Sequence, residues 1–293
     1  MEIRGVIPAL ITPFTPDNRI DEIGFRENVK YLIEHGVSGI VPCGTTGESA
    51  TMALEEHKQI IDIAVDSSTV PVIAGTGSNN TREAIELTRH AADAGADAAL
   101  LITPYYNKPN RNGIIAHFGA IASAVDIPVI LYNIKSRTGI NLDPELIAEL
   151  ADIPTIIGVK EASGDLEQIS RVIELTQDKD FIVISGDDAL TLPIMSLGGV
   201  GVVSVVANIA PAKTVAFVNA IMNNNPDEAR RLHYQLAPLV RAMFIETNPI
   251  PVKTAAGMIG LANGHLRLPL APMDSQNEQK LRSALVAAGL IGK

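Results

Sequence analysis

The feature that most constrains the fold is a repeat of short, almost continuously apolar runs separated by amphipathic segments. The runs are GVIPALIT (5–12), SGIVPCGTT (38–46), VPVIAGTG (70–77), DAALLITPYY (97–106), IPVILYNI (127–134), IIGVKEA (156–162), FIVISGDD (181–188) and VGVVSVVAN (200–208). Runs that stay apolar without alternating are strands buried on both faces, as in a parallel sheet covered by helices. The segments between them carry helix punctuation. Thr81 opens TREAIELTRHAADAG, with Glu83 close behind and Gly95 closing it, and Asp143-Pro144 opens DPELIAELAD. Proline is tolerated there because a first-turn N–H has no helical partner to lose. Eight strand–helix units over about 220 residues fit a closed (β/α)8 TIM barrel of the α/β class. An open doubly wound sheet would favour a glycine-rich turn after the first strand, and ITPFTPDNRI supplies none. After residue 224 the strand signal stops, and PDEARRLHYQLAPLVRAMF, NPIPVKTAAGMIG and SQNEQKLRSALVAAG read as helices. The expected architecture is a catalytic barrel over 1–224 with a C-terminal helical appendage over 225–293.

Composition agrees with a large aliphatic core, since 46% of the 293 residues are hydrophobic, only 4% are aromatic and Trp is absent. A formal charge of −10 argues against a nucleic-acid partner, whose phosphates call for a basic face. With one cysteine, Cys43, there is no intrachain disulfide, which fits a reducing cytoplasm. No histidine is near Cys43 in sequence, so it reads as a small buried hydrophobe. The opening MEIRGVIPALITPF lacks the apolar core and cleavage site of a secretory signal. No apolar run approaches the roughly 18 residues of a membrane span. The expectation is a soluble cytoplasmic protein. The six histidines show no metal-ligand spacing.

In such a barrel the chemistry sits where strands end and helix-bound loops begin. Polar residues gather at those points: Gly44-Thr45-Thr46-Gly47-Glu48, Gly75-Thr76-Gly77, Thr103-Pro104-Tyr105-Tyr106-Asn107, Tyr132-Asn133 followed by Lys135 and Arg137, Lys160-Glu161, and Ser185-Gly186-Asp187-Asp188. Lys160 is the oddity, because a lysine rarely enters an apolar layer without a partner or a task. An amine desolvated by a barrel interior has a lowered pKa, attacks a carbonyl carbon and leaves a Schiff base. Tyr132, one strand earlier at comparable depth, is placed to shuttle protons. The N–H groups and hydroxyls of Gly44-Thr45-Thr46-Gly47 can form a small carboxylate nest. Arg137 suits a second carboxylate in bidentate fashion. Taken alone, each has a plainer reading as salt bridge, core packing, turn or surface charge. Their convergence on one rim favours a single pocket. A phosphate site after the last two strands is the rival, and VGVVSVVAN offers no arginine or lysine for it.

Taken in order, GTTGES (44–49), TPYYNKP (103–109), YNIKSRTG (132–139), GVKEASGD (158–165), SGDD (185–188) and NPIPVK (248–253) resemble the dihydrodipicolinate synthase / N-acetylneuraminate lyase superfamily across essentially the whole chain. The resemblance implies a barrel that needs no cofactor and assembles as a homotetramer, a dimer of dimers. It implies that Lys160 forms an imine with pyruvate, whose enamine attacks L-aspartate 4-semialdehyde on the diaminopimelate route to lysine. On this pattern Tyr132, Thr46 and Tyr106 match the proton relay, with Tyr106 supplied by a neighbouring subunit. Thr45 and Thr46 match the binders of the pyruvate carboxylate, Gly186 and Val203 line the site through backbone groups, and Arg137 receives the aldehyde's carboxylate. Ser49, Ala50, His57, Asn79, Glu83 and Tyr105 match the allosteric lysine site of inhibited members, while Leu54 stands where many have histidine. Lys135 replaces the usual proline two residues before Arg137, which loosens that turn and adds positive charge beside the aldehyde. Arg137 argues against the sialic-acid lyase. A 2-keto-3-deoxy sugar acid aldolase remains an alternative, as does a catalytically silent ligand-binding relative, although the intact Lys160, Tyr132, Thr46 and Tyr106 speak against the latter.

Overall fold

The apolar runs form seven parallel strands: β1 (Gly5–Pro8), β2 (Ile73–Gly75), β3 (Ala98–Ile102), β4 (Val129–Asn133), β5 (Ile156–Glu161), β6 (Ile182–Ser185) and β7 (Gly201–Ser204). They are seen in a computed structural model that describes residues 3–261 and 264–292. The outermost residues of the two expected domains, Met1, Glu2 and Lys293, and the pair Ala262 and Asn263 fall outside the described residues. Neighbours pair in the order β1-β7-β6-β5-β4-β3-β2. The run 38–46 closes this sheet into a barrel without forming a ladder of its own. On one side Leu10 N–H donates to Val41 O and Val41 N–H to Pro8 O, both at 2.9 Å. On the other, Ile40 N–H donates to Pro71 O and Ile73 N–H to Ile40 O, also at 2.9 Å. The pairing is brief because Pro42 has no N–H to donate and Cys43 turns into the left-handed region at φ 56°.

Helices cover the outside: α1 (Glu22–Glu34), α2 (Leu54–Ser67), α3 (Thr81–Ala94), α4 (Arg111–Ala124), the short α5 (Lys135–Thr138), α6 (Pro144–Leu150), α7 (Leu166–Thr176), α8 (Thr191–Ser196) and α9 (Pro211–Met222). Their ends follow the local chemistry. Asp143 caps α6 by accepting Leu146 N–H at 2.7 Å, and Gly95 ends α3 in the left-handed conformation, φ 97°. Asn80, one residue before Thr81, is the actual cap of α3. Beyond Asn225 come α10 (Pro226–Met243), α11 (Ile250–Met258) and α12 (Ser275–Ala287), and the described residues show no further strand. These helices share one apolar core with α1, α2 and α9. None of the described helices is long and apolar enough to cross a membrane.

The barrel interior is filled by Ile7, Val41, Ile73, Leu100, Ile130, Tyr132, Ile184 and Val203, among others. Alternate strand residues, including Ala99, Leu131, Val159 and Val183, face the helices instead. On β5 this alternation sends Val159 and Glu161 outward and Lys160 inward. Lys160 sits in register between Tyr132 of β4 and Ile184 of β6.

Candidate active site

Lys160 and Tyr132 are each only 6% exposed, and the lysine Nζ lies 3.9 Å from the centroid of the tyrosine ring. Among the described residues no carboxylate comes within ion-pair distance of Lys160. The adjacent Glu161 belongs to the other side of the strand. Its carboxylate accepts Asn133 Nδ2 at 3.0 Å and Ser163 N–H at 2.7 Å, and burial raises its pKa against those bonds. The apparent Lys-Glu pair in the sequence is thus two residues with separate environments. Room for the lysine depends on Gly186 in the loop after β6. A Cβ there would stand 3.1 Å from Lys160 Cε and Cγ and 2.8 Å from Ala162 Cβ. Val203 is buried on β7, in register with Ile7.

The loop carrying Thr45 and Thr46 starts and ends in left-handed backbone, at Cys43 (φ 56°) and Glu48 (φ 57°). Gly47 lets it approach β1, since a Cβ would meet Leu10 O at 3.0 Å and Thr12 Oγ1 at 3.2 Å. Thr46 is buried, and its Oγ1 accepts Asn248 Nδ2 at 3.0 Å. The carbonyl of Asn248 in turn accepts Arg137 Nη2 at 2.8 Å. Asn248 therefore ties the threonine loop to the arginine. It lies within NPIPVK, but its partner Thr46 is 202 residues away, so nothing local in the sequence announces the bond. The turn expected to loosen at Lys135 is a hydrogen-bonded helical turn. Arg137 and Thr138 N–H both donate to Ile134 O at 3.1 Å, and Gly139 N–H donates to Lys135 O at 3.0 Å. Lys135 itself is exposed.

Part of this site opens onto a cavity of about 410 Å³, whose wall includes Thr45, Tyr132 and Arg137 but not Lys160, Thr46, Gly186 or Val203. Thr45, Tyr132, Arg137, Thr247 and Asn248 line one part, and Ser49, Ala50, His57, Glu83 and Tyr105 line another. His57 is buried with Nε2 2.7 Å from Gly75 O. Burial lowers its pKa, an effect that the charge of Glu83 opposes. Leu54 opens α2 three residues before His57, half-buried on a neighbouring face. Cys43 lies in the same wall, and burial pushes its thiol pKa up. Tyr106 and Asn79 also stay outside the cavity wall. Tyr106 is 89% exposed in left-handed backbone, φ 71°. Asn79 is held at the surface, donating to Tyr105 O at 3.2 Å and accepting Asn107 Nδ2 at 2.9 Å.

A buried lysine against a tyrosine that shares a cavity wall with a threonine loop and an arginine can do carbonyl chemistry on a small acid, and known proteins share the whole frame. A 4-hydroxy-tetrahydrodipicolinate synthase of Methanothrix thermoacetophila is 64% identical over 282 residues, covering 96% of each chain. A crystal structure of a dihydrodipicolinate synthase superposes with a TM-score of 0.95 at 51% identity, over 99% of this chain and 100% of the other. The chloride-inhibited dihydrodipicolinate synthase of Acinetobacter baumannii, solved in complex with pyruvate, gives a TM-score of 0.96 at 43% identity, over 99% and 100% of the two chains. The family model of the dihydrodipicolinate synthetase family matches residues 2–288, and the chain belongs to that family.

Proposed function

We propose that the chain condenses pyruvate with L-aspartate 4-semialdehyde to give 4-hydroxy-tetrahydrodipicolinate, the reaction for which its 64% identical relative is named. The observation that carries this reading is Lys160, an amine buried beside Tyr132 with no carboxylate of the described residues in ion-pair reach. Its Nζ adds to C2 of pyruvate, and loss of water gives the imine. Loss of a C3 proton then yields the enamine, whose C3 attacks the aldehyde carbon. The substrate's own amine attacks C2, closes the ring and releases Lys160, so one water leaves per turnover. Tyr132 and Thr46 carry protons through imine formation and the carbon–carbon step. Thr45 and Thr46 hold the pyruvate carboxylate, with Gly186 and Val203 offering backbone groups. Arg137, at the cavity mouth beside Asn248, receives the aldehyde's carboxylate.

The same reading makes the protein a cytoplasmic homotetramer, a dimer of dimers in which Tyr106 completes the relay of a neighbour. The exposure of Tyr106 supports a role outside its own chain. Ser49, Ala50, His57, Asn79, Glu83 and Tyr105 would bind lysine as an inhibitor, weakly where Leu54 replaces a histidine. Borohydride reduction in the presence of pyruvate, followed by peptide mapping, tests the first step. The expected result is a single reduced adduct on Lys160, and its absence would falsify the enzyme reading.

A further inference from the structure

We propose that Glu48 and Lys253 form a buried charge pair that positions the Thr45-Thr46 loop for its carboxylate ligand; this rests on the function proposed above. Both side chains are 0% exposed, and they are ion-paired across 205 residues of sequence. Lys253 Nζ also donates to Thr12 O at 2.9 Å and lies 4.4 Å from the centroid of Phe14. The second oxygen of Glu48 accepts Arg267 N–H at 3.1 Å. Arg267 is fixed in turn by Glu56, with Nη1 at 2.8 Å and Nη2 at 2.6 Å from its oxygens. Two parts of the C-terminal half, at Lys253 and Arg267, thus converge on the one carboxylate of Glu48.

Its place in the chain turns this cluster toward function. Glu48 is the last residue of the Gly44–Glu48 loop, and left-handed non-glycine residues bracket that loop at Cys43 and Glu48. Such backbone persists only where its surroundings hold it. Lys253 holds the Glu48 end, while Asn248, five residues earlier in the same segment, grips the hydroxyl of Thr46. Glu48 belongs to the cavity wall and Lys253 does not, so the lysine acts through Glu48 and its loop and is a positioning residue. Stability alone is a poor reason for the pair, because apolar residues of similar size commonly replace a buried ion pair at little cost.

That substitution supplies the test. The double variant Glu48→Gln/Lys253→Met removes both charges together and leaves no lone buried charge. It is expected to fold and to form the borohydride adduct at saturating pyruvate, with kcat/KM for pyruvate lowered on the order of 10²-fold through misplacement of the loop. KM for the aldehyde should change far less. In a Thr45→Val/Thr46→Val background the same double change should lower kcat/KM by no more than about twofold, because the effect passes through these two threonines. A folded double variant with normal pyruvate kinetics, or fully additive losses in that cycle, overturns the proposal. If the double variant does not fold, Glu48→Asp keeps both charges and draws the carboxylate back by one methylene. A raised pyruvate KM then supports the positioning role and an unchanged one overturns it. Failure of the wild-type chain to trap pyruvate would instead strike the proposed function itself.

Discussion

Around Lys160 the decisive contacts are made by carbon atoms and by the absence of a Cβ. The lysine stem runs past residue 186, where any side chain would press on Lys160 Cε and Cγ at 3.1 Å and on Ala162 Cβ at 2.8 Å. The lysine is flexible and can yield, whereas Ala162 is backbone-fixed, so a methyl at 186 displaces the amine from its place beside Tyr132. Gly186→Ala is therefore expected to lower kcat on the order of 10²-fold and, because the contact with Ala162 can be relieved only by the backbone, to lower the melting temperature as well. Steady-state rates set against a thermal melt check this, and a variant with normal kcat would show that the loop itself gives way. Lys160 and Tyr132 were legible in the sequence because two adjacent strands ended in polar residues at matching depth. The separation of Lys160 from Glu161 follows from strand alternation alone. Asn248 was not legible, since its importance comes from partners brought together only by the closed barrel and the C-terminal helices.

Between elements, the barrel was readable from eight apolar runs, while the extent of each strand was not. Pairing geometry sets those ends: run 38–46 shrinks to bridges because proline interrupts its donors, and run 97–106 stops at Ile102 as β3. The link between α3 and α4 has a pH consequence that neither helix displays by itself. His117 on α4 is buried, with Nδ1 2.9 Å from Thr81 Oγ1 at the start of α3 and no partner for Nε2 among the described residues. Burial lowers its pKa from 6.5 to about 4. In the unfolded chain the imidazole gains a proton as pH falls below 6.5, while in the folded chain it resists until about 4. The stability from the neutral ring is thus complete above the unfolded value and is lost as pH drops through that window, by up to about 3 kcal/mol. His117→Gln should make unfolding stability less steep in pH by about one proton across this range. Urea unfolding of both chains at several pH values between 4 and 7 measures it, and identical slopes would remove His117 as the cause.

At the scale of the molecule, one chain sets Lys160 against Tyr132 and places Tyr132, Thr45 and Arg137 in one cavity wall, yet leaves Tyr106 89% exposed. A large aromatic held in left-handed backbone at φ 71° beside the cavity-lining Tyr105 is an odd feature for a solvated loop, because that conformation is costly for a bulky residue. It becomes reasonable if a second copy covers it. In a two-fold dimer the same surface serves both partners, so each Tyr106 would enter the other chain's site. Co-expression of two impaired chains, Lys160→Ala and Tyr106→Phe, distinguishes the arrangements. If the tyrosine crosses the interface, a mixed dimer joins the intact lysine of one chain to the intact tyrosine of the other. Random pairing then restores about a quarter of the sites. If Tyr106 serves its own chain, every site in the mixture lacks one of the two groups and activity stays at the level of the separate variants. That second outcome would place Tyr106 in the relay of its own chain and leave assembly without a direct part in the chemistry.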